Sequence, residues 1–414
     1  MEAAALTQKP LVVESIRKEF PILNQKVNGH HLVYFDNAAT TQKPHRVIQA
    51  LVDYYSTTNA NIHRGIHTLA ERATREFEAT RLTAQQFIKA KHSEEIIFVR
   101  GVTEGINLVA ASYGRVFLKS GDEIIISGLE HHSNIVPWQM LCEEKGCLLK
   151  IIPITPSGEF DMDAFDKLLG GRTKIVAVNH ASNSLGTINP IESIIEKAHK
   201  VGAIVLIDGA QAAAHCEIDV QKLNCDFYCI SAHKMYGPTG IGILYGKKEL
   251  LEKMPPYMGG GEMIRNVTFE KTTYNELPYK FEAGTPNIAD VVAFNEAFLF
   301  IEEIGKQNIA AHEQDLLTYA SQQLESLKGV RLIGTAQNKV SVQSFVVNGI
   351  HPFDVGQMLD ARGVAVRTGH HCTQPLMDHF GIEGTVRASF AVYNTKEEIN
   401  ALIEGVDRIM KFLR

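Results

Sequence analysis

The sequence predicts an α/β protein: a large domain on one mostly parallel sheet of about seven strands, followed by a smaller α+β domain. Three observations carry this. Short apolar runs alternate along the chain with helical patterns. Several of those runs are continuously apolar, the pattern of strands buried on both faces. Beyond a turn at Gly284-Thr285-Pro286-Asn287 the rhythm changes to long helices.

The amino-terminal stretch holds one amphipathic segment, Val12 to Phe20, ended by Pro21. Val33-Tyr34-Phe35 reads as a short strand running into Asp36-Asn37-Ala38-Ala39-Thr40. Strands are then expected at Glu95–Val99, Glu123–Ser127, Leu148–Ile154, Lys174–Val178, Ala203–Asp208, Phe227–Ile230 and Gly240–Tyr245. Helices are expected between them, among them Ser133–Glu144 and Ile191–Val201. Met258–Glu262 is a glycine-rich break. Two long helices follow, Ile288–Ile304 and Glu313–Leu327, and the tail from Val330 alternates strand and helix again. The expected division is a segment over residues 1–30 that packs with the small domain, a large domain over 31–290, and a small domain over 291–414.

Of the 414 residues, 45 % are apolar and 21 % charged, a globular balance that excludes disordered, collagen-like and coiled-coil classes. The 41 basic and 47 acidic residues give a net charge of -6, which argues against a nucleic-acid partner. Six cysteines, at 142, 147, 216, 225, 229 and 372, are too sparse for a disulfide scaffold and point to reduced thiols in a cytoplasm. Cys225 and Cys229 lack a second ligand pair, so no metal site is expected. Met1–Pro10 has neither the basic nor the apolar block of a signal peptide. Ile124-Ile125-Ile126 is too short to span a bilayer, and no membrane role is expected.

Chemistry gathers at strand ends. Ser231-Ala232-His233-Lys234 follows an apolar strand and precedes a glycine-bounded turn. Alone, Lys234 reads more readily as a solvated loop lysine. Asp208 ends another buried strand, where α/β proteins bind ligands, although an aspartate there also caps helices. Together they suggest pyridoxal phosphate, which needs a lysine amine for a Schiff base and a carboxylate that keeps the pyridine nitrogen protonated. Val99-Arg100-Gly101-Val102-Thr103 supplies a strand, a glycine turn and a helix start, where free N–H groups bind phosphate.

Five motifs now stand together: Asp36 to Thr40, Arg100 to Glu104, Glu130-His131-His132-Ser133-Asn134, Asp208-Gly209-Ala210-Gln211 and Ser231 to Lys234. As a set they resemble the class V, fold-type I pyridoxal-phosphate enzymes. The tail, with Val366-Arg367-Thr368-Gly369-His370-His371-Cys372, Pro375-Leu376-Met377 and Arg387-Ala388-Ser389, is similar to group II cysteine desulfurases of the SUF iron–sulfur assembly system.

The resemblance implies roles residue by residue. Lys234 forms the Schiff base, Asp208 pairs with the ring nitrogen and Gln211 bonds the ring oxygen. His131 stacks on the ring and shuttles protons. Thr103, Ser231 and His233 hold the phosphate, with Thr285 arriving from the other subunit of a homodimer. Asn183 and Arg387 hold the substrate carboxylate. Cys372 takes the sulfur of L-cysteine as a persulfide and alanine is released. Arg367, His370 and His371 lie where they could favour the thiolate. His63 and Arg64 are interface candidates. Family members that exchange a zinc ligand with their partner place a histidine where this chain has Phe353, so the resemblance implies a sulfur-acceptor protein with its own cysteine. The rival readings are a selenocysteine lyase or related β-lyase, in which Cys372 would be dispensable, and a catalytically silent scaffold.

Overall fold

The structure, a computed structural model, describes residues 11–413; the expectation for Met1–Pro10 lies outside the described residues. Seven strands form the main sheet: β1 (Ile96–Val99), β2 (Glu123–Ser127), β3 (Leu148–Ile152), β4 (Thr173–Asn179), β5 (Ile204–Asp208), β6 (Phe227–Ser231) and β7 (Gly242–Gly246), in the spatial order β1-β7-β6-β5-β4-β2-β3. Neighbours from β3 to β6 pair in parallel, whereas β7 runs antiparallel to both β6 and β1. The reason is length. Residues 232–241 join β6 to β7, and a parallel crossover needs about a dozen residues or more.

The continuous apolar runs have a direct cause. Ile125, Val176, Val178, Val205 and Ile207 enter one core, while Ile124, Ile126, Ile175, Ala177 and Leu206 enter another on the opposite face. Successive side chains of a strand point to opposite faces, so a sheet covered on both sides takes apolar residues at every position.

Gly242 sits where β6, β7 and the Gly101 turn converge. A Cβ on it would fall 2.3 Å from the Ile230 carbonyl oxygen and 2.8 Å from the Gly101 Cα. Both are backbone atoms that cannot rotate away. Gly242→Ala is expected to lower stability by about 1–3 kcal/mol, measured as a lower thermal midpoint.

The second sheet holds β8 (Val330–Ile333), β9 (Val342–Val347), β10 (Arg367–Gly369) and β11 (Thr385–Ser389), antiparallel in the order β8-β9-β11-β10. Apolar residues of the helices Lys306–Ser326, Pro352–Asp360 and Lys396–Phe412 share its core. Arg17 ties the amino-terminal helix to this unit, donating to the Tyr393 carbonyl at 2.5 Å and pairing with Glu398 at 2.9 Å. Val33 and Phe35 pack in the same core, and Val33–Tyr34 pairs with Val364–Ala365. Contact with the small core thus continues past residue 30. At the other boundary, Ile288 to Ile301 and Ile309 belong to the large core, and the small core starts at Leu316. That is later than the expected division at 290.

Candidate active site

The carboxyl ends of β4, β5 and β6 open on a cavity of about 260 Å³ whose other wall comes from the small domain. Asp208 closes β5 and is 4 % exposed. Its Oδ1 accepts from the Ala210 N–H at 2.9 Å, and its other oxygen has no hydrogen-bond partner among the described residues. Lys234 stands on the single turn Ala232–Lys234 that follows β6. Burial pushes its amine down to about 8, assisted by Arg387 and Arg367 and opposed by Asp208 and Cys372. The turn is anchored one residue earlier. The His233 carbonyl accepts from the Thr40 hydroxyl, the Thr41 N–H and the Lys43 ammonium, each at 3.0 Å. Those residues lie in or next to a motif recognised in the sequence, but a backbone acceptor 190 or more positions away leaves no local signal.

One side of the cavity is an anion cradle. Gly101, at φ 150°, turns the chain from β1 into the helix Val102–Val109. A Cβ there would lie 3.1 Å from Ser231 Oγ, which accepts from the Val102 N–H at 2.9 Å. Gly101 has no side chain to cap this helix start. The Val102 N–H is taken by Ser231, and the N–H groups that follow and the positive end of the dipole face phosphate. Thr103, Ser231 and His233 line the same side. Burial pushes His233 down to about 4 and keeps it neutral.

His131 also lines the cavity. Its Nδ1 accepts from the Ser133 N–H at 3.1 Å and lies 2.8 Å from the Ser133 hydroxyl. Burial, with Lys234 and His132 adding, pushes its pKa to about 3. The ring is therefore neutral with its proton on Nε2. Gln211 donates its amide to the Ala38 carbonyl at 2.7 Å, leaving its side-chain oxygen toward other partners.

The small domain contributes two arginines and a cysteine. Arg367 and Arg387 are cross-strand partners on β10 and β11, and like charges directly opposite repel. Arg387 is 1 % exposed and donates to the Asn183 carbonyl at 2.9 Å and to Asp36 at 3.0 Å. Burial pulls it down to about 10. The Arg367 guanidinium has no hydrogen-bond or ion-pair partner among the described residues. Two guanidinium groups line the cavity and one carboxylate, Asp36, is in contact with only one of them, which leaves positive charge for a second anion. Asn183 lines the cavity, and its amide also donates to the His371 carbonyl at 2.8 Å, holding the loop that carries Cys372. In that loop His371 and Cys372 sit at φ 51° and 58°. Two successive left-handed residues other than glycine cost about 1–3 kcal/mol each.

Lys234, Asp208, Gln211, His131, Thr103, Ser231, His233, Asn183, Arg387, Arg367 and Cys372 thus share one cavity. Thr285 does not: it stands exposed on the turn after Gly284. His63 and Arg64 also lie outside, where His63 bonds Glu78 at 3.0 Å and Arg64 pairs with Glu262 at 3.0 Å. Asp36, bonded to Arg387, and His132, bonded to the loop of Cys372, belong to the hydrogen-bond network around the cavity, and sequence reasoning assigns neither a site role.

The residues fit pyridoxal phosphate. A buried carboxylate with one oxygen unpaired, a depressed lysine and an uncapped helix start are the three anchors that the group requires. A family model described as aminotransferase class-V matches residues 33–402. Fold and site together define a class-V pyridoxal-phosphate enzyme.

Relatives narrow this. The chain is 53 % identical over 397 residues to the probable cysteine desulfurase 1 of Mycobacterium leprae, covering 96 % of this chain and 65 % of the relative. It is 51 % identical to the probable cysteine desulfurase of Halalkalibacterium halodurans, covering 96 % and 98 %. The crystal structure of the cysteine desulfurase CsdA from Escherichia coli superposes with a TM-score of 0.91 at 39 % identity, covering 98 % and 100 %. The chain spans 65 %, 58 % and 63 % of the length of three relatives from Mycobacterium leprae, Mycolicibacterium paratuberculosis and Synechococcus elongatus. It belongs to the cysteine desulfurase family.

Proposed function

We propose that this protein takes sulfur from L-cysteine onto Cys372 as a persulfide, releases L-alanine and serves iron–sulfur cluster assembly of the SUF type in the cytoplasm. The observation that carries this is the shared cavity: Cys372 from one domain faces Lys234 and Asp208 from the other.

Pyridoxal phosphate, held by Asp208, Thr103, Ser231 and His233, supplies the electron sink that loosens the Cα–H and Cβ–S bonds. Arg387 and Arg367 fix the substrate carboxylate, Arg387 with a planar fork that suits two oxygens. The amine of Lys234, pushed down to about 8, is partly unprotonated near neutral pH and takes the Cα proton. The Cys372 sulfur attacks the substrate sulfur. The S–S bond forms as the Cβ–S bond breaks, and the electron pair left on Cβ takes up a proton. Substrate thiol plus Cys372 thiol become alanine plus persulfide, with no external oxidant. His131 covers the site; Ser133 holds its Nδ1, so the neutral ring presents its Nε2–H to the reacting groups while the proton that Lys234 took from Cα is available for return to the product.

The active form is a homodimer, in which the exposed turn at Thr285 reaches the second subunit's phosphate. The acceptor is a sulfur-transfer protein with its own cysteine. His351 is occupied, with Nδ1 accepting from the Phe353 N–H at 3.2 Å and Nε2 facing Glu383 at 3.3 Å. This supports a partner that does not exchange a zinc ligand here.

Alanine released from L-cysteine by wild type and by Cys372→Ala, both loaded with cofactor, tests the reading. Release by wild type alone is expected. Equal release would sink the sulfur-acceptor role and make selenocysteine the next substrate to test.

A further inference from the structure

The loop that presents Cys372 is strained, and it crosses from one domain to the other. What holds it there lies on the large domain, on the turn that also carries His131. The His132 N–H donates to the Cys372 carbonyl at 2.8 Å. The His132 Nε2 accepts from the Gln374 N–H at 3.2 Å. One residue thus grips the backbone on both sides of Thr373, using its main chain and its side chain together. The ring lies 5.7 Å from that of His370, tilted by 33°, and His370 Nδ1 in turn accepts from the Cys372 N–H at 3.1 Å.

We propose that His132 is a positioning residue for sulfur transfer, which sets where the Cys372 sulfur sits relative to the substrate sulfur. The inference rests on Cys372 being the sulfur acceptor. Its physical content is specific. The side-chain contact needs a lone pair on Nε2, so the imidazole must be neutral. Burial and His370 favour that form. Without the side-chain acceptor, the Gln374 N–H loses its partner, and on the carboxyl side of Cys372 His132 holds the loop by its main-chain bond alone. A strained loop with fewer anchors samples other conformations, and small misplacement of a reacting atom costs rate steeply. Because His131 is the adjacent residue, one short turn aligns the group over the cofactor site and the sulfur acceptor together.

His132→Asn and His132→Gln distinguish this from a structural role. Asparagine is too short to reach Gln374, whereas glutamine extends as far as Nε2 and accepts without titrating. The loaded enzymes are compared by alanine release and by the rate at which iodoacetamide alkylates Cys372, located by peptide mass spectrometry. For His132→Asn, kcat should fall by about tenfold or more with KM little changed, and the alkylation rate should shift several-fold. His132→Gln should restore both. Wild-type kcat and alkylation in His132→Asn, or equal loss in both variants, would overturn the proposal. If a variant fails to keep its cofactor, alkylation alone decides on the same terms, against wild type stripped of cofactor. Failure of the sulfur-acceptor reading shows separately, as undiminished alanine release by Cys372→Ala.

Discussion

Lys234→Ala is expected to lower alanine release from L-cysteine by about 10²–10⁴-fold, the range for removing a positioned acid–base group. No neighbouring amine can substitute. Lys43 is the nearest lysine in the anchoring network, and it is engaged with the carbonyls of Thr41 at 2.6 Å and His233 at 3.0 Å. The change has a second effect. Asp208 loses the cation that lowers its pKa, and its burial already pushes that pKa up. The carboxyl group then binds a proton more readily and holds a pyridine nitrogen less well. Borohydride treatment of the loaded wild type should leave the cofactor covalently attached to the peptide containing Lys234; the variant should show none. Wild-type turnover in the variant would remove Lys234 from the mechanism.

Arg387→Ala is the second large effect, and it should appear in two measurements. The KM for L-cysteine should rise by about 10–100-fold, as expected from losing hydrogen bonds between charged groups worth about 1.5–3 kcal/mol. Stability should fall by about 3–5 kcal/mol, because Asp36 is left without its buried partner. The pH dependence has a definite sign. Burial already raises the Asp36 pKa, and Arg387 is the main influence lowering it. In the variant that pKa climbs further, so the charge is most costly above it and the penalty shrinks as acid neutralises Asp36. Denaturant unfolding at several pH values should show the gap to wild type narrowing as pH falls. A gap that widens in acid would contradict the assignment. Arg387→Lys should recover part of the stability and little of the KM, since lysine carries the charge without the planar fork.

The strands were legible where both faces are covered. Glu123–Ser127 and Ile288–Ile304 have the bounds read from the sequence, since both are strongly apolar and end at clear breaks such as Gly305. Helix Lys306–Ser326 begins seven residues before the expected Glu313, because Lys306 to His312 is mostly polar and weakens the periodicity. The hairpin Ile264–Val267 with Thr272–Tyr274 went unread. It is largely exposed, so burial imposes no alternation on it. In the site, Asp208, Lys234 and Cys372 were legible because their chemistry admits few residue types. Asn183 was read as a substrate ligand; it lines the cavity, and one N–H of its amide also holds the His371 carbonyl, a contact the sequence does not record. Asp36 with Arg387 and His132 with Cys372 were not legible as pairs. Each depends on how the domains meet, and neither partner's local sequence records the other.

The pair Asp36 and Arg387 is separated by 351 positions in the chain. On a ribosome, which adds about 5–20 residues per second, the second guanidinium of the carboxylate site emerges only after nearly all the rest has been made. The sheet edge with Asp208 and Lys234 is complete far earlier. The residues proposed here to hold the cofactor are therefore all synthesised well before the one proposed to hold the substrate carboxylate. Closing so long a loop also places this contact among the slow, non-local ones that limit folding. A break in translation or cleavage between residues 305 and 387 leaves Asp208 and Lys234 in the chain but removes Arg387, the group proposed here to hold the substrate carboxylate.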